Sequence, residues 1–232
     1  MNKGKKSLQT WSNGVIQAFP IMLGYIPIGF AYGVLAQKAG ISAFNTLLMS
    51  IIVYAGSSQL IAVGLISAGT APFSIILTTF IVNLRHMLMS AALSPYLQHW
   101  KKIELAGFAF ELTDESFALH STRFVNNDPE IEETFAINIT AQAAWIMGSW
   151  LGIVAGKLIT DIKPFALDYA LPAMFIALLV MQIKYRAQLM VAILAGLLSV
   201  LLFLTGLKQW YVIFATLIGA SFGVVIEKWM KK

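Results

Sequence analysis

Residues 73–97 read FSIILTTFIVNLRHMLMSAALSPYL. The run is apolar enough to cross a bilayer as a helix, which takes about 20 residues, yet Asn83, Arg85 and His86 stand near its middle. A charge near the membrane midplane costs on the order of 3 kcal/mol or more, so it persists where it faces a cavity, a partner charge or a transported solute. Arg85 lies about a dozen residues from either end of the run, too far for its side chain to reach the headgroups easily. It therefore calls for an anion, either a protein carboxylate or a solute. His86 beside it is a group able to exchange protons near neutral pH.

The rest of the chain has the same character. It is 58% hydrophobic and only 12% charged, with a mean hydropathy of +0.76. Soluble domains are roughly a quarter charged, and one core of this size could not cover so much apolar surface. The expected fold is an all-α polytopic membrane protein of about eight transmembrane or re-entrant helices, the first of them broken or kinked. One membrane transporter domain is expected over residues 1–232. The apolar runs are continuous and do not alternate with period two, which excludes a closed barrel. The net charge of +5 comes from basic residues scattered between apolar runs, with small clusters at Lys3, Lys5, Lys6 and at Lys228, Lys231, Lys232. That placement suits lipid headgroups and topology control, not nucleic acid. The absence of cysteine excludes disulfides and thiolate chemistry.

Eight apolar runs follow one another: Val15 to Gln37, Phe44 to Ala68, Phe73 to Leu97, Leu105 to Phe124, Phe135 to Leu158, Tyr169 to Ile183, Ala187 to Leu204 and Trp210 to Ile226. The first is preceded by basic residues as in a signal peptide, but it continues past Ala36 without a small-residue cleavage site and reads as a retained helix. Trp11, Trp100, Trp210 and Trp229 fall at run ends, where interfacial aromatics belong. The same position places His99 and His120 at the interface. With eight spans, the excess of basic residues puts both termini in the cytoplasm. With a re-entrant fourth run, the N-terminus is outside and the C-terminus remains inside. Asn127-Asp128-Pro129-Glu130 makes a natural turn. Arg85-x-x-Leu88-Met89-x-Ala91-x-Leu93 recurs as Arg186-x-x-Leu189-Met190-x-Ala192-x-Leu194, which suggests an internal repeat of the kind transporters carry. The Asn-x-Thr triplet at Asn138 lies inside an apolar run and carries no glycosylation signal.

Three further groups of residues carry chemistry. The first run holds Pro20, Gly24, Tyr25, Pro27, Gly29 and Gly33. So many breakers predict a kinked or broken helix whose freed backbone groups bind a solute; the competing reading is a tight helix–helix seam at small residues. The second run contains Tyr54-Ala55-Gly56-Ser57-Ser58-Gln59, which reads as an unwound turn lining a solute path, or as interhelical hydrogen bonding. In the fourth run, Glu111, Asp114 and Glu115 are spaced i, i+3, i+4 and should share one helix face. Three carboxylates so close repel one another and burial adds to the cost of ionising them, so at least one takes up a proton near neutral pH unless Arg85 neutralises it. Gly24, Tyr25, Pro27, Tyr54, Gly56, Ser57, Ser58, Gln59, Asn83 and Arg85 are thus the candidate solute contacts. His86, Glu111, Asp114 and Glu115 are the candidate proton-coupling groups. No metal-ligand spacing, phosphate loop or nucleophile elbow stands out, so neither an enzyme nor a cofactor is implied.

Pro20-Ile21-Met22-Leu23-Gly24-Tyr25-Ile26-Pro27-Ile28-Gly29, Tyr54-Ala55-Gly56-Ser57-Ser58-Gln59, Asn83-Leu84-Arg85-His86 and Leu112-Thr113-Asp114-Glu115 stand in an order that resembles the AzlC family. Its members are the large subunits of two-component bacterial exporters of branched-chain amino acids. The likeness runs from about Phe19 to Ile226. It implies a multi-pass protein of the bacterial cytoplasmic membrane that exports leucine, isoleucine, valine and sometimes methionine. It also implies use of the proton gradient and a small AzlD-type membrane subunit as partner. The resemblance leaves the solute and the roles of individual residues open.

Overall fold

The computed structural model describes residues 3–126, 129–159, 185–206 and 211–230, with scattered positions between 164 and 183. Among these residues the chain is helical throughout, with no strand. The helices are α1 (Lys3–Lys38), α2 (Ala43–Ile52), α3 (Gly56–Ser67), α4 (Pro72–Leu93), α5 (Lys102–Glu111), α6 (Asp114–Asn126), α7 (Ile131–Gly156), α8 (Arg186–Leu204) and α9 (Tyr211–Met230). A 3-10 turn, Ser94–Leu97, extends α4. Four segments are long and apolar enough to cross a membrane by themselves: Leu8–Lys38, Pro72–Leu97, Ile131–Gly156 and Arg186–Leu204. The polytopic helical fold read from the sequence is the one found. The sixth expected run, Tyr169 to Ile183, and the turn at Asn127-Asp128 lie largely outside the described residues. Contacts divide the chain into two compact units, 1–174 and 175–232.

The first unit is organised by the pairing of α1 with α7. On α1 the buried positions Gly14, Ala18, Ile21, Tyr25, Gly29 and Tyr32 recur every three or four residues and so form one face. The small residues on that face let two backbones touch, the usual basis of helix association in lipid. A Cβ added at Gly29 would lie 2.9 Å from the Trp145 carbonyl oxygen, and one at Gly148 would lie 2.6 Å from that of Ile26. At Gly33 and Gly152 an added Cβ would collide with the carbonyl oxygens of Ser149 and Phe30. Gly29 and Gly33 are therefore seam residues. Gly24 is not, since nothing lies within 4 Å of an added Cβ there. Pro20 and Pro27 sit on the exposed side of α1, which runs through both without interruption.

The helix that parts is the second run. It stops at Ile52 and restarts at Gly56, with Tyr54 between them at φ +41°. A tyrosine in the left-handed region is strained by about 1–3 kcal/mol, and it holds that shape because its side chain is 2% exposed among its neighbours. The fourth run also parts, at Leu112–Thr113. Thr113 Oγ1 accepts a hydrogen bond from the Ser116 amide at 3.4 Å, and Ser116 Oγ accepts one from the Thr113 amide at 2.8 Å. This reciprocal cap starts a new helix at Asp114. Glu111 therefore closes α5 while Asp114 and Glu115 open α6, so the single-face spacing expected of the three does not exist.

Beside this break, Met89, Leu93, Leu97, Trp100, Phe108, Leu112 and Phe124 form an apolar cluster. Trp100 belongs to it, 5% exposed and stacked on Phe135 at 6.1 Å, where an interfacial position was expected. His120 is likewise a core residue, 0% exposed, because its ring is stacked on Phe124 and tilted against Phe108. In the second unit α8 and α9 pack on each other, with Gly219 of α9 close to Ala195 of α8. Arg186 is the first residue of α8 whereas Arg85 lies within α4, so the two copies of the suspected repeat occupy different positions in their helices.

Candidate functional site

The two helix breaks face one another across α4. Arg85, Met89 and Leu93 recur at four-residue intervals and so share one face of α4. The last two are buried in the apolar cluster, which turns Arg85 inward as well. Its Nη1 pairs with Asp114 Oδ2 at 2.6 Å. Its Nη2 donates to Ser57 Oγ in the first turn of α3. The guanidinium thus bridges the start of α3 and the start of α6. Both helix starts present amides with no intrahelical acceptor, and the positive end of the α6 dipole favours the carboxylates of Asp114 and Glu115.

Tyr25 reaches the same place from α1. Its phenol oxygen lies 2.6 Å from Thr113 Oγ1 and 2.6 Å from Glu115 Oε2. One phenol proton serves one of these contacts only. If Glu115 is ionised, Tyr25 donates to it and Thr113 donates to Tyr25; if Glu115 is protonated, both directions reverse. The Trp145 ring of α7 forms the back wall, edge-on to Tyr25 at 5.6 Å and stacked with Tyr32 at 5.8 Å. Gly56 makes room for it, since a Cβ there would lie 2.8 Å from the indole. Tyr54 OH and Trp145 Nε1 are buried without a hydrogen-bond partner among the described residues.

These side chains enclose a small cavity lined by Tyr25, Ile28, Tyr54, Ala55, Gly56, Ser57, Arg85, His86, Thr113, Asp114, Glu115 and Trp145. About 20 Å³ of it is open to the centre of a water molecule, which is room for one water and not for an organic solute. The arrangement is a narrow, partly open polar centre with fixed charges of both signs, phenols and an indole.

Of the residues singled out from the sequence, Tyr25, Tyr54, Gly56, Ser57, Arg85, His86, Asp114 and Glu115 come together here. Gly24 and Pro27 do not, being exposed on α1. Ser58 is turned onto the Ala55 carbonyl oxygen at 3.0 Å, and Gln59 points toward Ser50 at 3.5 Å. Asn83 and Glu111 are absent from the lining, each with a buried oxygen lacking a partner among the described residues. Ile28, Ala55, Thr113 and Trp145 were missed. Trp145 carried a signal, a tryptophan in mid-run where others mark run ends. Thr113 carried another, a cap residue directly before two acids.

A second polar group lies farther along α6 and α7. Arg123 Nη2 pairs with Glu133 Oε2 at 2.5 Å, and Gln17 Nε2 of α1 donates to Glu133 Oε1 at 2.5 Å. Between this pair and the cavity, His120 Nε2 meets Asn138 Oδ1 at 2.8 Å.

A family model described as AzlC protein matches residues 20–159, a stretch that contains every residue of the cavity lining. The chain is 32% identical to the inner membrane protein YgaZ of Escherichia coli (strain K12), over 84% of this chain and 82% of that protein. It is 32% identical to an uncharacterized membrane protein of Archaeoglobus fulgidus, over 89% and 90% of the two chains. It is 25% identical to the branched-chain amino acid transport protein AzlC of Bacillus subtilis (strain 168), over 78% and 71%. No solved structure matches.

Proposed function

Because this chain belongs to the AzlC protein family, we propose that it is the large subunit of a proton-driven exporter of small apolar amino acids. Leucine, isoleucine, valine and methionine are the substrates of this reading, with the cytoplasmic membrane as its site and a small AzlD-type membrane protein as its partner. The observation that carries it is the Arg85–Asp114 pair, set in a narrow polar cavity beside a Tyr25-bonded Glu115.

A zwitterion fits such a centre by inserting between its charges. The substrate carboxylate takes the place of Asp114 on Arg85, where a guanidinium can grip it with two parallel hydrogen bonds. The first amides of α3, at Gly56 and Ser57, add a partial positive charge on the same side. The ammonium goes to Asp114 and Glu115, and the aliphatic chain lies against Ile28, Tyr54 and Trp145. An ammonium can approach Glu115 only when that carboxyl has given up its proton. Proton and substrate then compete for one group, which is the elementary requirement for exchanging one against the other. Parting of the α3 and α6 starts, which Arg85 bridges, widens the cavity for the solute.

The test is counterflow of labelled leucine into proteoliposomes holding this chain, with and without a co-expressed small subunit. Leucine exchange together with uncoupler-sensitive accumulation supports the reading. Exchange without accumulation under an imposed proton gradient makes the protein a channel-like subunit instead.

A further inference from the structure

His120 has no part in the exchange site, yet its surroundings are not those of a packing residue. Its ring is 0% exposed and packs against Phe108, at 5.4 Å between ring centres, and Phe124, at 5.0 Å. Nε2 is held by Asn138 Oδ1 at 2.8 Å, while Nδ1 has no partner among the described residues. Asn138 Nδ2 and Thr134 Oγ1, one turn apart on α7 and both fully buried, also lack partners there, as does Arg123 Nη1 one turn on from His120. An interhelical hydrogen bond in a membrane protein contributes little, whereas each buried, unpaired polar atom carries the full cost of its desolvation. As a structural device the cluster is a net loss. As a hydrated site it is not, since a buried water is stable where several polar atoms converge.

The cluster also lies on a line. From the exchange site, Glu115 contacts Tyr25 OH, Tyr25 contacts Thr113 Oγ1, and Thr113 Oγ1 lies 3.2 Å from Ser116 Oγ. Each of these hydroxyls both donates and accepts, so the row can reverse its direction as a proton passes. Ser116 is four residues before His120 and thus on the same face of α6. Three residues after His120 comes Arg123, paired with Glu133. Phe108 and Phe124 of the apolar cluster pack against it at His120.

We propose that His120 is a second proton-transfer group, which joins the carboxylate cavity to the Arg123–Glu133 pair along the α6–α7 interface. The proposal rests on the proton-driven reading above. The proton leaves the Glu115 carboxyl for the Tyr25 oxygen as the phenol proton passes to Thr113 and on to Ser116. Ser116 passes its own hydroxyl proton to a bound water as it takes the one from Thr113, and that water gives one proton to the bare Nδ1, leaving a neutral water and an imidazolium whose Nε2–H stays on Asn138. The Phe124 face stacked on the ring favours that cation. Nδ1 then returns the proton to water on the Arg123–Glu133 side, and the ring is neutral again. The charges around it are few. Arg123 is the cation on its own helix, α7 faces it with Asn138 and carries Glu133 beside Thr134, and α5 faces it with Phe108 and ends in Glu111.

The experiment compares His120→Gln with wild type in proteoliposomes, measuring leucine counterflow and proton-gradient-driven accumulation separately. Glutamine can still donate to Asn138 but does not titrate. Counterflow within about twofold of wild type, with accumulation rate reduced about tenfold or more, is the expected result, since proton transfer by a placed group contributes at least that much. Full accumulation, or equal loss of both activities at normal protein levels, overturns the proposal. If His120→Gln fails to insert, Asn138→Asp decides: a carboxylate against Nε2–H favours the imidazolium, and the pH profile of accumulation must move to higher pH. An unmoved profile overturns the relay. Wild type without uncoupler-sensitive accumulation overturns the proton-driven reading itself, and the relay with it.

Discussion

Arg85 holds Asp114 and Ser57 at once, and through them two helix starts. Its contribution is not stability, because removing two charges from water cancels most of what their attraction returns. It is a cation fixed where lipid alone would forbid one. Arg85→Ala should abolish leucine counterflow while leaving protein levels in the membrane normal. Arg85→Lys should restore little, because a compact ammonium cannot reproduce the two-pronged contact of a guanidinium. Wild-type counterflow in the alanine variant would remove Arg85 from the site. The two acids separate by partner: Asp114 has Arg85, and Glu115 has the Tyr25 phenol. Glu115→Gln keeps the contact with Tyr25 but removes the titrating group. It should lose accumulation and keep a leucine exchange that is weaker, since Asp114 alone then takes the ammonium, and no longer varies with pH; Asp114→Asn should weaken exchange further by also leaving Arg85 without its anion. Normal accumulation at every pH in both variants would move the proton site to His86, the next titratable group on the lining.

At the scale of helices, the small residues of α1 divide by what an added methyl would meet. Gly152 of α7 touches the Phe30 backbone, and Gly24 faces open space. Gly152→Ala forces α1 and α7 apart and should destabilise the protein by about 1–3 kcal/mol, the usual cost of overpacking. Gly24→Ala should be neutral or stabilise by up to about 1 kcal/mol, because alanine restricts the unfolded chain and no contact opposes it. Thermal unfolding in detergent distinguishes the two; equal midpoints for both variants would contradict the seam. The broken helices follow the same logic. Prolines do not interrupt α1, since they lie on its exposed side and packing on the opposite face holds the helix straight enough to continue. Tyr54 interrupts the second run because its buried ring fixes a backbone shape that no helix contains.

For the whole molecule, α4 presents Phe73, Ile76, Phe80, Met87 and Leu88 outward, as a lipid-facing or partner-facing helix does. In the two-component reading the small subunit completes this assembly. Purified chain alone should therefore show leucine counterflow well below that of the co-purified pair, and full activity without a partner would show that this chain works by itself. The experiment needs both preparations at equal protein density in the same vesicles.

Hydropathy and the cost of a buried charge are properties of short stretches, additive along the chain, so the sequence alone determined the membrane-spanning helices and the polar residues that must find partners within them. It also determined that Arg85 requires an anion and that Tyr54 to Gln59 has the composition of a break, whereas the break itself, at Val53–Ala55, depends on where the Tyr54 ring is buried. Which anion Arg85 takes was a tertiary decision. Spacing put Glu111, Asp114 and Glu115 on one face, and the Thr113 cap separated them, handing Asp114 to Arg85 and Glu115 to Tyr25. Trp145, which the sequence reading did not single out, and His120, expected at the interface, entered the interior the same way. Partner choice depends on the azimuth of each side chain about its helix and on which helix lies opposite, and neither quantity exists until the helices have packed.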